Sequence, residues 1–245
     1  MDVIGHMGQE VGKLIMKNEN MNISGGFDKE NTGLFAFPVF TDITSINVKP
    51  DVIIDFSIPK ATLNILNYAK NKKVPIVIAT TGFSEEELNI IDSFSKDIPI
   101  FKSSNMSYDI NLMAKILTII APILKNTDIE IIETHHNRKI DSPSGTALLL
   151  ADKINESLGN TLKYEFNRHN KHEKRSKNEI GFSSIRGGNI VGEHIVQFYG
   201  ENETLEIKHT SYSRSVFAEG ALKAAEFIVN KKSGLYNMDD LISKE

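Results

Sequence analysis

The chain has 245 residues, 40% of them apolar and 24% charged, and its 28 Lys and Arg against 32 Asp and Glu give a formal charge of -4. That length buries the core of one large or two smaller domains, and the acidic balance weighs against a nucleic-acid partner. The absence of cysteine removes disulfides, thiolate metal sites and every thiol nucleophile.

In chain order, short apolar runs over 3–4, 22–25, 52–56, 76–79 and 98–101 predict strands of a parallel sheet. Helical patterns lie between them over 9–17, 59–71 with Pro59 in the first turn, and 84–95 with Glu85, Glu86 and Glu87 in the first turn. This β and α alternation is that of an α/β, Rossmann-like, doubly wound sheet. Past Asn105 the rhythm changes. A helix interrupted at Pro122 is expected over 108–124, a strand over 128–134, a helix over 145–158, and an antiparallel hairpin from 190–199 and 203–213. A last helix is expected over 218–230. Two domains follow, the second α+β with a mixed or antiparallel sheet. The longest apolar run, 116–124, is too short to cross a bilayer and no leader pattern opens the chain, so no membrane partner and a cytoplasmic location are expected.

Five segments carry candidate chemistry. Gly5-His6-Met7-Gly8 stands between the first strand and the first helix, where glycines let a pyrophosphate approach the helix N-terminus; the competing reading is a plain tight turn. Asp28, about twenty residues on, is placed to accept from a ribose 2'-OH and favours NADH, whereas Lys29 would meet the extra phosphate of NADPH. Ala79-Thr80-Thr81 and Ser103-Ser104-Asn105-Met106 follow the fourth and fifth strands, where an open α/β sheet binds its ligand, although turn chemistry alone also explains them.

The stretch from Glu133 to Thr146 packs His135, His136, Arg138 and Lys139 ahead of Pro143-Ser144-Gly145-Thr146. No metal is expected here, because two adjacent imidazoles without Cys diverge in an extended chain. A solvated polar loop is one reading and an anionic-substrate site is another. In the second, Ser144, Gly145 and Thr146 open a helix whose N-H groups hold a carboxylate, Lys139 and His136 add charge, and His135 exchanges a proton. The fifth segment, Glu179 to His194, offers Arg186 to a carboxylate or is a glycine-rich turn between strands; before it, 168–177 reads as a solvated basic loop.

The pattern Glu133-x-His135-His136-x-x-Lys139-x-Asp141-x-Pro143-Ser144-Gly145-Thr146 resembles the 4-hydroxy-tetrahydrodipicolinate reductase (dihydrodipicolinate reductase) family. Ala79 to Phe83, Ser104 to Ser107 and Ile185 to His194 extend the likeness in family order, with a first glycine turn shorter than is usual. The resemblance implies reduction of the dehydrated dicarboxylate to tetrahydrodipicolinate with NADH or NADPH, in diaminopimelate and lysine biosynthesis. It implies His135 as proton donor, Lys139 as a second catalytic residue, and His136, Gly145 and Thr146 as substrate contacts. Cofactor contacts would fall on Gly5 to Gly8, Asp28, Ala79 to Thr81 and Ser103 to Met106. A dinucleotide-binding domain over 1–106 and 216–245, a substrate and oligomerisation domain over 107–215, and a homotetramer complete what it implies. Another nicotinamide oxidoreductase and a non-catalytic nucleotide sensor are the alternative readings.

Overall fold

The computed structural model describes residues 3–169 and 171–243. The chain begins with α1 (His6–Ile15), β1 (Gly26–Phe27), β2 (Val39–Phe40), β3 (Ile53–Asp55), α2 (Pro59–Lys72), β4 (Ile76–Ile78), α3 (Glu85–Ser95) and β5 (Pro99–Lys102). It continues with α4 (Tyr108–Ile120), β6 (Asp128–His135), α5 (Gly145–Ser157), β7 (Lys163–Glu165), β8 (Glu179–Arg186), β9 (Gly192–Tyr199) and β10 (Thr204–Ser211). It ends with α6 (Ser215–Ile228), β11 (Gly234–Tyr236) and α7 (Met238–Ile242). These elements form two compact units, Met1–Tyr108 with Ser215–Glu245, and Asp109–Arg214.

In the first unit a parallel sheet runs in the order β11-β5-β4-β3. Its strands are apolar on both sides because both sides are covered. Ile76, Ile78 and Ile100 face Leu66 of α2 and Ile91 of α3, while Ile54, Val77 and Phe101 face Val11 of α1 and Ala221, Ala224 and Ala225 of α6. Helix ends follow local chemistry: Pro59 opens α2, and Ser84 and Glu87 close a capping box on α3. Gly220 lets α6 lie directly on the backbone of Met106, whose carbonyl oxygen would be 1.6 Å from a Cβ there.

Two expected strands are absent. Residues 3–4 bend, and the Ile4 N-H donates to Asp28 Oδ2 at 2.9 Å instead of to a strand. Residues 22–25 are irregular; pairing starts one residue later, at Gly26, as a separate parallel pair between β1 and β2. Gly26 is needed there, since a Cβ would come within 2.5 Å of Val3 Cγ1. An apolar cavity of about 550 Å³ lies between the 22–27 segment and β3 and contains none of the candidate residues.

The second unit is a mixed sheet, β10-β9-β6-β8-β7, with β6, β8 and β7 parallel and β9 antiparallel to both β6 and β10. Ile129, Ile131, Ile180, Val196 and Phe198 of one face pack on Leu117 of α4 and on Leu150 and Ile154 of α5. The β9–β10 hairpin has the expected position. The stretch over 168–177 is tied down rather than simply solvated: Arg168 pairs with Glu179, and Arg175 reaches Asp128 at 2.9 Å, Glu130 at 3.1 Å and the carbonyl of Ile129 at 2.9 Å. Asn170 of that stretch lies outside the described residues.

Candidate active site

Alternation along β6 puts Ile129, Ile131, Glu133 and His135 on its buried side, so the apolar stripe ends in a carboxylate and an imidazole. A buried carboxylate needs partners. Arg186, at the end of β8, supplies a two-pronged one, with Nη1 to Oε2 at 2.8 Å and Nη2 to Oε1 at 2.6 Å. The Ser144 N-H donates to Oε1 at 3.3 Å, and Glu133 Oε2 lies 2.5 Å from His135 Nδ1. Burial alone would raise this carboxyl, but hydrogen bonds from His135, Arg186 and Ser184 outweigh it and hold the group at about 2. Arg186 thus pairs with Glu133 and donates to the carbonyl of Asp141 at 2.7 Å.

Beyond His135 the chain leaves the sheet. Its carbonyl accepts from the Gly187 N-H at 2.9 Å, and the Asn137 N-H donates to Gly188 O at 3.2 Å, with Gly188 at φ 54. This turn needs glycine. The ring of His136 is partly exposed, but its Nδ1 is buried and has no hydrogen-bond partner among the described residues. Burial, then the charges of Arg138, Arg214, His135 and Lys139, lower its pKa, which marks a concentration of positive charge. Lys139 Nζ meets Asp141 Oδ1 at 2.8 Å, with the Asp141 side chain more than half exposed.

A cis Ser142–Pro143 bond precedes α5. Ser144 caps that helix, its Oγ accepting from the Ala147 N-H at 3.2 Å and lying 2.9 Å from His194 Nε2. The Ser144 hydroxyl is thus buried, capping α5 and in contact with His194. Gly145 is exposed and a Cβ there would meet open space, while Thr146 is half-buried. The His194 ring stands 5.1 Å from that of His135 at 73°, and burial, reinforced by His135, pushes its pKa down to about 3. Sequence reasoning assigned no role to Glu133 or His194. The signal for Glu133 was present in the i, i+2 alternation that runs from Ile129 to His135.

In the first unit, α1 starts at Gly5 with no side-chain cap and no acidic residue in its first turn. Asp28 is drawn beside this turn by the Ile4 N-H, and its Oδ1 accepts from the N-H of the exposed Lys29 at 2.7 Å. His6, Met7 and Gly8 form the first turn of α1. At the carboxyl ends of the strands, Ala79 is half-buried and Thr81 exposed, whereas buried Thr80 donates to Asp55 Oδ2 at 3.1 Å. Ser103 Oγ donates to Asn105 O at 2.7 Å, Asn105 Oδ1 accepts from Ser107 N at 2.8 Å, and Met106 packs in the core, leaving Ser104 as the exposed member of the group.

A Rossmann-like sheet unit followed by a mixed-sheet unit with a buried acid-base cluster defines a two-unit α/β reductase. Residues 3–106 match the family model described as dihydrodipicolinate reductase, N-terminus, and residues 109–242 match dihydrodipicolinate reductase, C-terminus. The 4-hydroxy-tetrahydrodipicolinate reductase of Clostridium tetani is 50% identical over 240 residues, covering 98% of this chain and 94% of the relative. That of Caldanaerobacter subterraneus subsp. tengcongensis is 48% identical over 240 residues, covering 98% and 95%. Among solved structures, the dipicolinate-bound dihydrodipicolinate reductase from Paenisporosarcina sp. TG-14 superposes with a TM-score of 0.80 at 27% identity, covering 95% of this chain and 94% of that one. The chain belongs to the dihydrodipicolinate reductase family, pyridine nucleotide-dependent reductases of lysine and diaminopimelate biosynthesis. Among the described residues no helix is long and apolar enough to cross a membrane.

Proposed function

We propose that the chain reduces dehydrated 4-hydroxy-tetrahydrodipicolinate to tetrahydrodipicolinate, with His135 delivering the proton. The observation that carries this reading is the buried Glu133–His135 pair beside a loop of cationic groups, Arg138 and Lys139 among them, around the His136 ring. The exposed partner of Lys139, Asp141, gives up little when a substrate carboxylate replaces it, because exposed ion pairs contribute about 0–1 kcal/mol. Gly145 and Thr146, at the open start of α5, hold a carboxylate through the helix end that Ser144 shapes.

The acid-free start of α1, with no side-chain cap, suits a nucleotide pyrophosphate, and the neighbouring Asp28 carboxylate, an acceptor, suits a ribose hydroxyl. Gly5 to Gly8, Asp28, Ala79 to Thr81 and Ser103 to Met106 would hold the nucleotide, and the Asp28 charge favours NADH over NADPH. When bound, the reduced nicotinamide supplies the hydride. The substrate ring accepts it at the carbon conjugated to the imine, and His135 protonates the ring while Lys139 fixes a carboxylate. A cytoplasmic homotetramer built through the mixed sheet completes the proposal, with its mass to be read by sedimentation.

Replacing His135 by Ala, assayed with substrate made in place by a coupled synthase, lowers kcat by about 10²- to 10⁴-fold and leaves NADH affinity unchanged. Near-normal turnover would remove His135 from the proton step. Binding of NADH without substrate-dependent oxidation in the unmodified protein would favour the sensor reading.

A further inference from the structure

Glu133 is buried against His135, and the scheme above gives it no step of its own. We propose that Glu133 is a positioning residue that keeps a proton on His135 Nδ1, so that Nε2 is the atom that gives up the catalytic proton. The proposal rests on His135 being the donor.

The contact between Nδ1 and Oε2 is 2.5 Å, and the Glu133 side chain is fully buried. An ionised carboxylate only accepts, so the imidazole nitrogen facing it carries the hydrogen. The carboxylate cannot turn away. Arg186 grips both its oxygens, a backbone N-H from Ser144 reaches Oε1, and Arg186 is itself anchored on the carbonyl of Asp141. Glu133 is thus held by groups from β8 and from the start of α5.

The opposite edge of the ring is kept open by the absence of a side chain. A Cβ at Gly192, which opens β9, would stand 3.1 Å from His135 Nε2 and 3.4 Å from Cδ2. His194 packs against the ring nearly at right angles and stays uncharged, so it limits ring rotation without repelling an imidazolium. In the donor form both nitrogens carry hydrogen. The Nε2 proton passes to the substrate carbon, the Nε2–H bond breaking as the new C–H bond forms, and the ring is left neutral with Nδ1–H still on Glu133. Solvent then returns one proton to Nε2.

The first test needs no variant: in protein carrying 15N-labelled histidine, the neutral His135 ring is expected to show a protonated Nδ1 and a bare Nε2. A neutral ring protonated at Nε2 overturns the proposal. Kinetics of Glu133→Gln and Glu133→Ala, with His135→Gln alongside, supply the second. Glutamine keeps a carbonyl acceptor for Nδ1–H but not the charge, so kcat falls about ten-fold in Glu133→Gln and about a hundred-fold in Glu133→Ala. Affinity for pyridine-2,6-dicarboxylate stays within about three-fold in both, as orientation and not binding is lost. Equal losses of kcat and dicarboxylate affinity, or wild-type kcat in Glu133→Ala beside an inactive His135→Gln, overturn it. An active His135→Gln overturns the donor assignment instead, and the 15N tautomer then judges the Glu133 contact separately.

Discussion

Burial and pairing shift the ionisation of His194 and of Glu133, and that gives stability a definite pH dependence. His194 is depressed to about 3 in the folded chain, against an ordinary 6.5. Between those values the unfolded chain binds more protons, so stability is lost as pH falls through that range. Glu133 is held at about 2 against an ordinary 4.5, so its contribution is complete above 4.5 and is lost below it. The thermal midpoint should therefore drop on acidification in two overlapping stages. In His194→Gln the slope between 6.5 and 4.5 should become shallower, with His136 and His209, both also lowered, keeping part of it. An unchanged slope would mean that His194 is charged in the fold. Gly192→Ala adds a methyl at 3.1 Å from His135 Nε2, and a kcat loss of about ten-fold or more with an unchanged melting curve is the expected result. At this scale the sequence was informative where the family pattern is written in near-consecutive residues, as from Glu133 to Thr146. It could not show the partner of Arg186, because an arginine paired with a glutamate 53 positions away has the same local signature as one awaiting substrate.

Among the elements, α6 depends most sharply on one residue. Gly220→Ala forces a Cβ into the carbonyl of Met106, and because the obstacle is backbone, relief requires moving the helix; a loss of about 3 kcal/mol or more in denaturant unfolding is expected. The end of α2 is improvable: Lys73 caps it in the left-handed region at φ 53, and Lys73→Gly should stabilise by about 0.5–1 kcal/mol in the same assay. Strands β3, β4 and β5 were legible because helices cover both sides and make them continuously apolar. Residues 3–4 and 22–25 were misread for the same reason inverted: a few apolar residues suggested strands, while Asp28 and the crowding of Gly26 against Val3 decided the backbone. The β8 strand was hidden by Gly181, Ser183 and Ser184, poor strand formers that the neighbouring β6 nonetheless pairs along its length.

For the whole molecule, a chain of net charge -4 concentrates Arg138, Lys139 and Arg214 around His136, so total charge is a poor guide to the ligand and local placement a good one. Each unit should respond to its own ligand. At a hundred times its Kd a ligand adds about 2.7 kcal/mol to the state that binds it. Hydrogen exchange with NADH should slow amides over 5–8 and 79–81, and with pyridine-2,6-dicarboxylate those over 136–146; protection by the dicarboxylate confined to the first unit would contradict the placement of its site. The Glu133–Arg186 pair has a further effect, on how the second unit assembles. It joins β6 to β8, parallel neighbours in which His135 stands opposite Arg186. Sliding β8 by two residues would keep Ile180 and Phe182 on the face they now bury, so hydrophobicity hardly opposes it, yet it would carry the guanidinium about 7 Å along the strand and leave the buried Glu133 carboxylate without its counter-charge, at about 3–5 kcal/mol. The same two charges that anchor the His135 ring therefore act as an alignment key, and a misthreaded sheet would be unstable before it could be inactive.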